Sequence, residues 1–234
     1  MCILIDQHGN IVFRYRTYGV EEVMPFKPQL RIRPNNLVNV IVRGDKRPQQ
    51  HLGNLGMRTG KFDWNARDDR LATSPLWSGM WRHPGFHVVI PISHGYEATT
   101  RHGKRRWFAI RRHDREPMLI PGLGRVQKGP FRTEWHVTMV TVDAGPVFEP
   151  IHDTPREIVT LRTWDEAQAW LEAKDDTTLR GLLRPAGTDL LESYRVHDDV
   201  FKESFPAGRC SELFQEPTRR GIEDFGTPAK KKET

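Results

Sequence analysis

Cysteine is scarce: Cys2 and Cys210 are the only two among 234 residues. That is too few for a disulfide framework or a cysteine-rich zinc site, and it suits a reducing compartment. No apolar run approaches the roughly 20 residues of a membrane-spanning helix. The N-terminus has neither the charged region nor the cleavage site of a secretory signal. A soluble, cytoplasmic and intracellular protein is therefore expected, with no membrane partner. The long periods of a helical bundle are missing as well, and no internal repeat is present. A hydrophobic content of 37%, with 17 prolines and 19 glycines, suits a loop-rich fold containing β-structure. The histidines His51, His83, His87, His94 and His136 lack close spacing to cysteine or acidic partners. No structural zinc and no cofactor are expected.

Positive charge is in excess. Lys and Arg number 36 against 30 Asp and Glu, a formal net charge of +6, which favours a polyanionic partner without bearing on the fold. Arg31 and Arg33 form one group. The run Arg101, His102, Lys104, Arg105 and Arg106, followed by Arg111 and Arg112, is interleaved with Trp107 and Phe108. Cations beside stackable rings are what a single-stranded nucleic-acid groove uses; an ordinary basic hairpin surface is the alternative that charge alone leaves open. The Lys230-Lys231-Lys232 segment reads as part of a disordered tail.

Cys2 directly follows Met1, so loss of one residue would make it the amino terminus. It would then carry a thiol and an α-amine on adjacent carbons. A free thiol near pKa ~8.5 and an amine near ~7.7–8.0 leave part of each in its nucleophilic form around neutral pH. The amine can condense with an aldehyde to an imine, and the thiolate can close a five-membered thiazolidine. An aldehyde or a peptide carbonyl is the natural target. The alternative is that Cys2 merely begins an apolar strand, Cys2-Ile3-Leu4-Ile5.

Residues 2–5 and 11–15, separated by Gln7-His8-Gly9-Asn10, read as a hairpin or as strand, turn and strand. Residues 37–42, 86–92 and 107–111 are further β-like runs, and imperfect alternation over 135–142 marks the longest strand. Thr163-Trp164-Asp165-Glu166 is a capping-box pattern that predicts a helix to about Lys174. A second helix is predicted around 177–183, stopped before Pro185. The expected class is α+β, predominantly β: one compact domain over residues 1–205 with a curved or barrel-like, mostly antiparallel sheet and a few flanking helices. An irregular, partly mobile tail is expected over 206–234.

Three polar clusters stand out between the predicted strands: Trp64-Asn65-Ala66-Arg67, Gly95-Tyr96-Glu97 and Ile151-His152-Asp153. An Asn amide and an Arg guanidinium can orient a carbonyl and a phosphate, while a carboxyl and an imidazole can move protons. Taken in order from Cys2, these motifs resemble the SOS response-associated peptidase (SRAP) family, which senses abasic sites in single-stranded DNA. Ser74-Pro75-Leu76-Trp77, the strand before Gly95 and the Val140-Thr141 strand support the resemblance, which extends to about Phe201. The chain departs from the family's pattern at Ile3 and Leu4, where Gly-Arg is usual, and at Thr154, where arginine is usual.

The resemblance implies that Cys2, freed of Met1, captures the aldehyde of a ring-opened abasic sugar as a thiazolidine. It implies that Asn65 orients Cys2 or the sugar and that Glu97 and His152 handle protons. Arg67 would hold a flanking phosphate, with Arg31, Arg33, Arg105, Arg106 and Arg156 as further DNA contacts. It also implies a DNA-associated role in repair, with self-processing peptidase and DNA lyase side activities. No metal is implied, and a monomer is expected. Two other readings stay open. One is an N-terminal-nucleophile cysteine peptidase or amidohydrolase acting on peptides, with Asn65 at the oxyanion; the other is a DNA-binding module without chemistry.

Overall fold

The computed structural model describes residues 4–8, 11–23, 26, 28–58, 62–100, 103, 105–128, 133–151 and 155–196. The chain divides into Met1–Val196 and His197–Thr234; only the first unit contains described residues. Its elements begin with β1 (Leu4–Gln7), α1 (Ile11–Thr17), β2 (Glu21–Glu22), β3 (Gln29–Ile32), β4 (Leu37–Val42) and β5 (Gln49–Leu55). Three short strands follow, β6 (Met57–Arg58), β7 (Phe62–Asp63) and β8 (Asn65–Arg67), then α2 (Asp68–Leu71) and α3 (Ser78–Trp81). The middle of the chain supplies β9 (His87–Ile92), β10 (His94–Thr99), β11 (Arg106–Arg112), β12 (Met118–Lys128) and β13 (Thr133–Asp143). It closes with β14 (Arg156–Ile158), α4 (Trp164–Glu172), α5 (Asp176–Leu182) and β15 (Leu191–Val196). Among the described residues no helix is long and apolar enough to cross a membrane.

The larger sheet runs β14-β13-β12-β9-β4-β5-β2, and an added pairing of β13 with β5 ties β13, β12, β9, β4 and β5 into a five-stranded barrel. A second sheet has the order β15-β11-β10-β1-β3. The predominantly β class and the curved sheet expected from the sequence are what the structure shows.

Strand alternation sends side chains to two cores. Val40, Val88, Ile90, Ile120 and Met139 share one with Ile5, Ile32, Phe108 and Ile110 of the second sheet. Ile41, Val89, Leu119 and Val140, on the opposite parity, pack with α1, α3 and α4 through Ile11, Trp81 and Trp170. A buried amide ladder fastens β1 to the barrel. Gln7 donates to the carbonyls of Asn39 (2.8 Å) and Pro91 (2.9 Å) and accepts from the Asn39 backbone N–H at 2.7 Å.

Both predicted helices are present. Thr163 caps α4 by accepting from the Glu166 N–H at 3.2 Å, while Glu166 reaches back to the Arg162 N–H at 2.7 Å. Asp175 caps α5 in the same way. The expectation of a strand over residues 11–15 is corrected, because this segment is α1. Ile11 and Tyr15 lie one helical turn apart and are both buried in the helix-facing core, at 1% and 2% exposure. That i, i+4 pairing outweighed the strand-like composition. Two polar clusters expected between strands lie within them, Asn65-Ala66-Arg67 in β8 and Gly95-Tyr96-Glu97 in β10. The tail expected over 206–234 lies outside the described residues.

Close strand packing has a single-atom test at Gly122. A Cβ there would sit 2.3 Å from the Thr138 carbonyl oxygen and 3.0 Å from a Val88 methyl. Neither the strand backbone nor the core can retreat cheaply, so Gly122→Ala is expected to cost about 1–3 kcal/mol. The measurement is the urea midpoint, and an unchanged midpoint would contradict this packing.

Candidate functional site

Asn65 and Arg67 sit at alternate positions of β8, separated by Ala66, which is 0% exposed in the helix-facing core. The strand is held by parallel pairing with β13, Asn65 opposite Met139 and Arg67 opposite Thr141. The Met139 N–H donates to the Trp64 carbonyl at 2.9 Å. Both polar atoms of the Asn65 amide are buried, and neither has a hydrogen-bond partner among the described residues. An amide removed from water and left unbonded costs free energy, so a native structure that keeps one calls for an explanation. Arg67 is exposed and grips Asp69 with both arms of its guanidinium, at 3.0 and 2.8 Å. The Arg67 hydrogen bond holds the Asp69 carboxyl below the usual range. An exposed fork pair of this kind is weak enough to exchange for another oxyanion.

Glu97 is fully buried at the centre of β10, directly opposite Phe108 of β11. Residues opposite one another in an antiparallel pair share a face, so Glu97 points with Phe108 and Ile110 toward the core that also contains Ile5. Ile151 belongs to that core too, and Trp64 packs against it. The neighbours of Asn65 and His152 thus meet the cluster that Glu97 faces. Cys2 and His152 themselves lie outside the described residues.

The remaining predicted DNA contacts have diverse surroundings. Arg33 is exposed, Arg31 and Arg106 are half-buried, and the Arg105 guanidinium lies 4.7 Å over the Trp107 ring. Trp107 and Phe108 are themselves buried, which leaves little ring face for a base. Arg111 is bound to Glu192 at 2.7 Å, and Arg112 to Asp114. Arg156 is buried and bonds Asp143, Asp68 and the Thr141 carbonyl, tying β14 and β13 to the start of α2. Arg101, His102 and Lys104 lie outside the described residues.

Sequence reading passed over a second cluster. On the face of β1 and β10 opposite to Glu97, Asp6 pairs directly with His94, and His8 stacks on His94 with ring centroids 5.4 Å apart. Tyr96 donates to the Asp6 carboxylate at 2.6 Å, as does the Arg31 N–H, also at 2.6 Å. Burial pushes the Asp6 carboxyl up, opposed by those two hydrogen bonds. Burial, with His8 and Arg111 adding to it, pushes His94 down to about 3. The signal was Asp-x-His at strand spacing, carried by His8, which was not among the histidines weighed against acidic partners.

The chain matches the family described as SOS response associated peptidase (SRAP) over residues 7–203. It belongs to that family, and membership supports an SOS-associated, DNA-related role. The match starts after Cys2. Solved structures share the fold. A protein from Bacteroides thetaiotaomicron is 16% identical with a TM-score of 0.75, over 87% of this chain and 95% of its own. A protein from Bordetella bronchiseptica is 23% identical with a TM-score of 0.70, over 83% of this chain and 99% of its own. A phage-related protein from the same organism is 16% identical with a TM-score of 0.66, over 84% and 94%. No curated protein matches the chain.

The unbonded amide of Asn65 yields a stability test. Asn65→Leu removes a buried polar group without stranding a partner, so it is expected to raise stability by about 1–3 kcal/mol. Asn39→Leu would take one buried partner each from Gln7 and Gln50, which bond the Asn39 side chain at 2.9 and 3.2 Å, and is expected to lower it by a similar amount. Chemical denaturation of both variants reads the contrast; a loss of stability in Asn65→Leu would mean that the amide is structural.

Proposed function

We propose that the chain binds single-stranded DNA and captures the aldehyde of a ring-opened abasic sugar on Cys2 once Met1 has been removed. The observation that carries this reading is the Asn65 amide, its atoms buried and unbonded among the described residues, in a chain of the SRAP family. An amide kept dry and unused by the fold is suited to hold a carbonyl or hydroxyl that arrives with a substrate. Arg67, two residues along the same strand, would exchange Asp69 for a phosphate beside the lesion.

The chemistry balances without a cofactor. The Cys2 amine attacks the aldehyde carbon, and the carbinolamine loses water to form an imine. The thiol sulfur then adds to the imine carbon, its proton passing to nitrogen, so that one C–N and one C–S bond form and water is the only leaving group. Ring opening and water loss both need a proton donor and acceptor, the roles assigned to Glu97 and His152. Elimination of the 3′ phosphate from the imine would give lyase activity, and release of Met1 would be the peptidase step. Arg31, Arg33, Arg105 and Arg106 supply further phosphate contacts. Arg156 acts on this reading through Asp68, by fixing the helix that follows Arg67.

Intact-protein mass spectrometry with a single-stranded oligonucleotide carrying one abasic site is the decisive test. Met1-less protein is expected to gain the oligonucleotide mass less one water, only with the lesion and not in Cys2→Ala. Absence of an adduct from protein verified to have lost Met1 overturns the reading, and turnover of peptides indifferent to DNA would favour the peptidase alternative. Affinity for an undamaged strand should fall with salt at a logarithmic slope of about −3.5, from the five arginine contacts to phosphate. A flat salt dependence would remove the phosphate assignments.

A further inference from the structure

Three features of the fold meet at Asp6. The pairing of β1 with β3 shifts register between Ile5 and Gln7, a bulge that re-aims the intervening side chain. Arg31, across the bulge, has a φ of 54°, a left-handed backbone that a non-glycine residue adopts only where its surroundings hold it there. That conformation accompanies the N–H bond from Arg31 to the Asp6 carboxylate at 2.6 Å. Tyr96 fixes the other oxygen at 2.6 Å. The carboxylate is thus oriented by two donors, while each oxygen retains acceptor capacity.

The orientation brings Asp6 to two imidazoles. One ligand atom from each of Asp6, His8 and His94 lies within 4.8 Å of the others. Ligands of one tetrahedral zinc stand roughly 3.3 Å apart, given metal–ligand distances near 2.0–2.1 Å, so rotamer adjustments of about an ångström would close the set. Burial favours the neutral form of His8 and of His94, the form that binds metal. Arg111 is the cation that bears on His94, and Glu192 balances it at 2.7 Å.

We propose that Asp6, His8 and His94 form a site for one divalent transition-metal ion, with zinc the fitting choice for two imidazoles, one carboxylate and an open fourth position. Tyr96 and the Arg31 N–H are its outer-shell supports, orienting the carboxylate as such partners do in metal sites. The ion would clamp β1 to β10 on the face of the sheet opposite to Glu97. Its role is structural, fixing the strand that starts two residues after Cys2. The proposal does not depend on aldehyde capture.

The test is calorimetric titration of chelator-treated, full-length protein with zinc chloride, beside cobalt(II) absorption spectra. Wild type is expected to bind one equivalent, with cobalt bands of a nitrogen–oxygen site and no thiolate charge-transfer band. Affinity should fall at least about tenfold in His8→Gln and in Asp6→Asn, and stay unchanged in His83→Gln and His113→Gln, which replace exposed histidines. His8 is only half-buried, so that variant decides the matter should Asp6→Asn fail to fold. Absence of binding by wild type overturns the proposal. So does binding that survives His8→Gln, or a thiolate band placing the metal on Cys2 or Cys210.

Discussion

The backbone of β13 is the constraint on which the rest depends. Its 11 residues hydrogen-bond to four other strands, β12 and β14 in antiparallel fashion and β5 and β8 in parallel. Residues 135–137 take β5, which closes the barrel, and residues 139–141 take β8, which carries Asn65 and Arg67. A strand so placed must have its backbone groups satisfied on both edges. The chain arranges this at Gly56, whose φ of 117° is open chiefly to glycine. There it leaves β5 while the Gly56 N–H still donates to the Val137 carbonyl at 2.7 Å. After the β6–β7 pair it returns to the same edge of β13. Barrel closure and presentation of the Asn-Ala-Arg motif are therefore one event in the backbone.

That arrangement gives the polar interior two kinds of occupant. Gln7, Asn39 and Gln50 spend their amides on one another and on strand carbonyls. Glu157 accepts from the N–H groups of Gly145 and Ala186, both at 2.7 Å, and joins two loops. These groups exchange water for protein partners and specify how strands meet. Asn65 is only half-buried as a residue, yet its amide atoms are shielded and make no such exchange among the described residues. The fold that satisfies Gln7 so completely leaves the Asn65 amide without a partner among the described residues.

Legibility from sequence followed the range of the interactions involved. Residues 37–42 and 107–111 declared themselves because apolar β-formers are bounded by turn residues, and α4 because Thr163 and Glu166 cap it locally. Residues 11–15 misled because Ile11 and Tyr15 reveal a helical period only once both are known to face one core. β8 carried no strand signature at all; parallel pairing with distant β13 makes Asn-Ala-Arg a strand. Arg67 was legible as a motif residue and its bond to Asp69 is local, two residues along, whereas the burial of Arg156 depends on tertiary placement. The adjacency of Asp6 and His94 exists only in the register of β1 against β10.

Register also explains how one sheet can bury polar side chains on both of its faces. In β1 and β10 the pairs Ile5–Gly95 and Asp6–His94 are consecutive, so their side chains leave on opposite faces. Glu97 and Phe108 look into the shared core, while Asp6, His94 and Tyr96 look away from it. A one-residue slip of β1 would exchange these faces, moving Asp6 toward the apolar cluster and Ile5 toward the imidazoles. The Gln7 ladder to Asn39 and Pro91 opposes that slip from one end of the strand, and the paired donors on Asp6 oppose it from the middle. The polar groups of β1 thus fix the register of the strand that begins two residues after Cys2.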